Sequence, residues 1–245
     1  MTLSPTWMVF LLGLMTALST GLGAIPFWFI KDIHSRFVAQ ANALAAGLML
    51  GASFGLMLEG SSYGAFQTLI GGAAGVLFIL LSEHFIGEHE AMAFETIEGK
   101  SAKQMILFLG IMTVHSFAEG IAVGVSFGGG KELATLITIA IAVHNIPEGL
   151  AISAIMRPKG VAVWKCSAWS IFSSLPQPLM AVPAFLFVEA FRPILPYGIG
   201  FAAGAMVFMV FMELLPEAFQ EEKKYIVGLW VSFAFTLMVL FQQTI

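Results

Sequence analysis

Apolar residues run along this chain in blocks of about 20, the length a helix needs to cross the hydrocarbon core of a bilayer. The blocks cover residues 7–30, 38–58, 64–86, 104–128, 133–156, 161–188, 196–215 and 225–241, with short polar breaks between them. The pattern predicts an all-α, polytopic membrane protein of eight transmembrane helices, forming a single transmembrane domain over residues 1–245. The first block has no basic segment before it and is longer than a signal-peptide core, so it reads as a mature span. Gly-rich stretches inside the blocks, such as Gly71-Gly72-Ala73-Ala74-Gly75, fit helices packed closely through small residues.

Composition agrees with the pattern. With 58% hydrophobic and 11% charged residues in 245, the chain has too little polar surface to cover a soluble globule. The single cysteine, Cys166, excludes an internal disulfide and a tetrathiolate metal site. A net charge of -4 with scattered basic residues gives no electrostatic footprint for nucleic acid. The basic residues do orient the chain. Lys31, Arg36, Lys100, Lys103, Arg157, Lys159, Lys165, Lys223 and Lys224 fall on one side of the eight spans, and only Lys131 and Arg192 on the other. Since Lys and Arg gather on the cytoplasmic side, both termini are expected to be extracellular or lumenal; the membrane itself is left open. The polar connection from Gly87 to Lys103, with Glu88, His89, Glu90, Glu95 and Glu98, reads as a solvated cytoplasmic loop with room for weak, transient metal binding.

Charged side chains at bilayer depth are costly and mark pathways or buried pairs. The fourth block contains His115-Ser116-Phe117-Ala118-Glu119-Gly120, and the fifth His144-Asn145-Ile146-Pro147-Glu148-Gly149. Both read HxxxEG. At i, i+4 spacing, histidine and glutamate share one helix face, so two facing helices offer two imidazoles and two carboxylates. That donor set suits zinc, ferrous iron, manganese, cobalt or nickel and is poor for cuprous copper. One such pair could be a buried structural hydrogen bond; two copies in consecutive spans favour a metal site. Pro147 removes an amide hydrogen beside His144, and Pro176, Pro178 and Pro183 interrupt the sixth span, where Gln177 adds a neutral oxygen. Broken helices at mid-depth are where carriers place their substrate sites. Glu59, Glu83, His84 and Glu213 lie near span ends, where their heads can reach the interface, and are given auxiliary roles at most.

The two motif segments align with each other across spans that run in opposite directions. Ala45-Ala46-Gly47-Leu48-Met49 and Ala202-Ala203-Gly204-Ala205-Met206 echo each other in the same way. The echoes suggest a 3+2+3 inverted-repeat plan with the site at the repeat interface.

These residues resemble the Zrt/Irt-like protein (ZIP) family of divalent-metal transporters. The likeness is carried by the two HxxxEG motifs, by the AAGxM segment of the second span, by Ser174-Leu175-Pro176-Gln177-Pro178 and by Glu213-Leu214-Leu215-Pro216-Glu217. The resemblance implies that His115, Glu119, His144 and Glu148 are the primary ligands, with Met49 approaching from the second span. It also implies uptake toward the cytoplasm by alternating access. Where family members with a second adjacent ion carry extra ligands, this chain has Ser116, Asn145 and Gln177, so one strong site is expected. The ion, zinc foremost with iron or manganese as alternatives, is then transported substrate, and no cofactor is expected. No GxxxxGK[ST] run occurs, so a gradient would supply the energy, with proton-for-metal exchange open to the His and Glu ligands. The many small residues on span faces allow a homodimer. A metal sensor that does not transport is the main rival. An intramembrane metalloenzyme is a weaker one, since no HExxH or Ser-His-Asp pattern occurs.

Overall fold

In a computed structural model, residues 4–30, 34–93 and 100–243 are described, and among them the chain is helical with no strand. Helix α1 (Pro5–Leu22) starts where Ser4 accepts a hydrogen bond from the Trp7 amide, with Pro5 at the first helical position, where its missing N–H costs nothing. It gives way to a turn at Gly23, and Pro26 opens the short α2 (Pro26–Phe29), so the first apolar block is one long and one very short helix. Helix α3 (Ser35–Ala93) holds the second and third blocks and leaves helical geometry only at Gly64. A Cβ on Gly60 would sit 2.9 Å from Thr68 Cγ2, whereas a straight helix separates such residues by about 12 Å. The chain therefore folds back there into two limbs.

Helices α4 (Lys100–Ser126) and α5 (Lys131–Met156) carry the two motifs. Pro147 is accommodated inside α5 without a break, while the sixth block splits at Leu175 into α6 (Val163–Ser174) and α7 (Pro176–Ala190). The seventh block is α8 (Leu195–Met209), a π-turn over Val210–Leu214, and α9 (Leu215–Glu221); α10 (Lys224–Gln242) ends the bundle. Six described segments are long and apolar enough to cross a membrane, one of them the 48-residue stretch Ser35–Ser82 that contains the Gly64 bend. The connection expected over Gly87–Lys103 is shorter than its polarity suggests. Helix α3 runs on to Ala93 and α4 begins at Lys100, because Glu, Ala and Met are good helix formers once the chain has left lipid. Glu95, Glu98 and Lys31 lie outside the described residues, as do the side chains of Glu83, Glu88, His89 and Glu90.

Backbone-to-backbone contacts through glycine sort the helices into two groups. In one, Gly149 of α5 lies against Thr20 of α1, Gly120 and Gly124 of α4 against Gln177 and Ala181 of α7, and Gly13 of α1 against Pro178. In the other, Gly71 and Gly75 of α3 lie against Tyr197 and Phe201 of α8, Gly204 against Gly72, and Gly47 against Val231 of α10. Between the groups the glycine contacts are with side chains, such as Gly198 of α8 on Val125 of α4. The core at this seam is a single cluster holding Met49, Ala118, Ile137, Ala140 and Met206. At one end of the molecule Arg192 donates to the Gly128 carbonyl (2.6 Å), close to where Tyr63 meets Gly129 (3.5 Å). At the other, Gln40 and Asn42 donate to Glu222 (2.8 Å) and Glu217 (2.9 Å).

Candidate metal centre

The HxxxEG spacing does locally what a helix requires: His115 and Glu119 face one way from α4, and His144 and Glu148 face back from α5. Nitrogen and carboxylate oxygen atoms from these four residues all lie within 4.8 Å of one another, and none of the four is more than 3% exposed. Ligands held about 2.0–2.2 Å from a tetrahedral zinc ion would lie about 3.4 Å apart, so closing on an ion asks for side-chain movements of about an ångström.

Glu119 is the hub. Its Oε1 meets His144 Nε2 and lies 3.1 Å from His115 Nε2, an ion-pair distance without the alignment of a hydrogen bond, while its Oε2 accepts from Gln177 Nε2 at 2.6 Å. His144 is steadied from behind, with Nδ1 3.1 Å from the Ala140 carbonyl. Among the described residues, both oxygens of Glu148 and both ring nitrogens of His115 are buried without a hydrogen-bond partner. Burying a carboxylate with nothing to pair it is strongly unfavourable, and a dication between two carboxylates and two imidazoles would compensate both charges at once. The chemistry and the orphaned atoms both fit a divalent ion.

The glycine that closes each motif has a packing reason. A Cβ on Gly120 would come 2.6 Å from the Gln177 carbonyl oxygen, and one on Gly149 would come 1.7 Å from that of Thr20. Each glycine thus admits a neighbouring backbone right beside the preceding glutamate.

The sequence pattern of the family described as ZIP Zinc transporter matches residues 81–242. This chain belongs to the ZIP zinc transporter family. It is 47% identical over 216 residues to a candidate zinc transporter of Arabidopsis thaliana, covering 87% of this chain and 35% of that one, so it spans about a third of the plant relative's length. It is 28% identical to the zinc transporter GufA of Myxococcus xanthus over 92% of this chain and 95% of that one. With the zinc transporter ZIPB of Bordetella bronchiseptica it shares 31% identity, over 90% of this chain and 76% of that one.

The other residues singled out in this ZIP protein fall around the four-ligand group in distinct ways. Asn145 and Gln177 are fully buried and hydrogen-bonded to each other (3.2 Å), and Asn145 also donates to the Thr16 carbonyl (2.8 Å). Ser116 turns to Ser174 (3.4 Å), which pairs with Thr20 (2.8 Å). Met49 is buried in the central core cluster with Ala118 and Ala140, neighbours of the ligands in sequence or by hydrogen bond. Glu213 sits on the π-turn, within electrostatic range of His115 and Glu148. His84 is exposed on the second limb of α3. Ser174, part of the sixth-span motif, completes the polar shell with Thr16 and Thr20, which do not stand out in the sequence. Their one signal is the i, i+4 spacing of Thr16 and Thr20 within an apolar helix.

Proposed function

We propose that this chain carries divalent transition-metal ions, zinc foremost, across a membrane toward the cytoplasm, with His115, Glu119, His144 and Glu148 as the transported ion's ligands. The observation that carries the reading is the convergence of two imidazoles and two carboxylates at one buried point on adjacent helices. That relatives are named zinc transporters is the reason for placing zinc ahead of iron or manganese. Asn145, Gln177 and Ser116 lie beside the ligands in sequence or by hydrogen bond, and in the other helix group Glu213 is within electrostatic range of them while Met49 shares the core cluster with Ala118 and Ala140.

Eight passes follow if the two limbs of α3 cross separately and α4 crosses with them, and the basic residues then set both termini outside or in a lumen. The swap of partners, α1 with α5 and α4 with α7 in one group, the two limbs of α3 with α10 and α8 in the other, supports a 3+2+3 inverted arrangement. All four ligands ride in the group of α1, α4, α5, α6 and α7, whose glycines meet the other group through side chains. Sliding of one group along the other would expose the site to each side in turn, which is alternating access. The close glycine crossings are satisfied within one chain, so the single chain is the proposed transport unit, each copy of a homodimer working by itself.

Saturable uptake of radiolabelled zinc into proteoliposomes is the deciding measurement, with iron, manganese and cadmium as competitors. Zinc binding without uptake would favour a sensor. A second expected result concerns protons. The Ala140 carbonyl can only accept, so His144 Nδ1 carries a hydrogen, and its Nε2 facing a Glu119 oxygen needs another between them. An entering metal must displace that proton. Calorimetric titration of zinc in buffers of different ionisation enthalpy should therefore show proton release; heats independent of buffer would exclude it.

A further inference from the structure

We infer that Gln177 is a positioning residue, which holds Glu119 in place for the metal through a hydrogen bond and does not coordinate the ion itself. The inference rests on Glu119 being a ligand. The orientation of each amide follows from the one group in the chain of bonds that has no choice. The Thr16 carbonyl can only accept, so Asn145 presents Nδ2 to it at 2.8 Å. The same Nδ2 lies 3.2 Å from Gln177, which must answer with its oxygen, Oε1. That leaves Nε2 of Gln177 for the carboxylate, and it meets Glu119 Oε2 at 2.6 Å. The chain of bonds runs from the backbone of α1 through α5 and α7 to α4, and every side chain in it is fully buried.

Two consequences follow for coordination. Gln177 has its oxygen turned to Asn145 and its nitrogen donating, so it has no lone pair facing the ligand group, contrary to the sequence expectation of a neutral oxygen ligand. Glu119 has Oε2 capped by a donor, which leaves Oε1, the atom already against His144 and 3.1 Å from His115, to take the ion. Hydrogen bonds to a charged acceptor are the strong ones, and a ligand oriented this way binds metal without first being ordered. Glu148 offers the contrast, since neither of its oxygens has such a partner among the described residues. Glu119 is thus the fixed carboxylate of the pair and Glu148 the one that must close on the ion.

A double-mutant cycle on the purified full chain separates positioning from coordination. Zinc affinity would be measured by competition with a chelator for the parent, Gln177→Leu, Glu119→Ala and the double variant. Loss of an outer group that orients a ligand typically weakens metal binding about 10–100-fold. That loss is expected for Gln177→Leu, with no further loss when the same change is made in Glu119→Ala. Affinity losses that multiply would mean that Gln177 acts independently of Glu119, as a ligand or through general destabilisation, and would overturn the inference. Parental affinity in Gln177→Leu would overturn it too. Gln177→Met, unbranched and equally without a donor, replaces Gln177→Leu if the latter fails to fold. Full affinity in Glu119→Ala alone would instead remove the functional reading beneath it.

Discussion

Glu148→Gln is expected to lower zinc uptake into proteoliposomes by about 100-fold or more while leaving the protein at least as heat-stable as the parent. The two halves of this expectation have one cause. Groups that merely orient a ligand are worth about 10–100-fold in metal affinity, and Glu148 is proposed to contact the ion directly, so its loss should reach or exceed the top of that range. Yet without the ion both carboxylate oxygens are buried and unpartnered, and a neutral amide of the same shape is cheaper to bury than a charge. His144→Ala should lose uptake equally but behave differently in melting. It removes the group facing Glu119 Oε1 and leaves a buried charge less compensated, a change that costs about 3–5 kcal/mol when a buried pair is broken outright. Uptake by both substituted proteins in liposomes, together with melting curves in detergent, checks the pair. Uptake at the parental rate in Glu148→Gln would sink the four-ligand site, and a lowered melting temperature would show that Glu148 has a structural partner after all.

Much of this was legible in the sequence because membranes make polar placement expensive. Helix α5 begins at Lys131 where the apolar block starts at 133, and α10 covers Lys224–Gln242 against an apolar block of 225–241. The same cost made His115, Glu119, His144 and Glu148 stand out, and helical geometry alone paired them. Backbone events were less visible. Pro147 and Pro176 look alike as helix breakers, but α5 absorbs the first and the sixth block splits at the second. The π-turn that carries Glu213 has no mark in its residues. Thr16 was hidden for a chemical reason: its hydroxyl bonds back to the Gly13 carbonyl at 2.7 Å, so it passes as an ordinary helix residue, while its own carbonyl anchors Asn145. In the sequence Gln177 offers a neutral oxygen; in the structure its Nε2 donates to Glu119, a direction that the sequence does not carry.

Gly149→Ala is expected to damage the protein severely, although in most helices that exchange is favourable. Replacing glycine by alanine inside a helix stabilises it by about 1 kcal/mol through lower backbone entropy in the unfolded chain. Gly228 of α10 has nothing within 4 Å of a built Cβ, so Gly228→Ala should show only that gain and raise the melting temperature slightly. At Gly149 the new Cβ would lie 1.7 Å from the Thr20 carbonyl oxygen and 2.7 Å from its carbon. The obstacle is backbone, which cannot rotate aside as a side chain can, so α1 must move away from α5 by more than an ångström. Overpacking of a tight core typically costs about 1–3 kcal/mol, and a backbone clash this close belongs at or beyond the upper end, so it outweighs the propensity gain. The damage should also reach the site. Thr20 and Thr16 stand one turn apart on α1, so pushing α1 outward draws the Thr16 carbonyl from Asn145 and loosens the chain of bonds that ends on Glu119. The expected result is a lower melting temperature and weaker zinc binding together in Gly149→Ala, with both unchanged or improved in Gly228→Ala. A lower melting temperature with parental zinc affinity would show that the α1–α5 crossing holds the fold without holding the site.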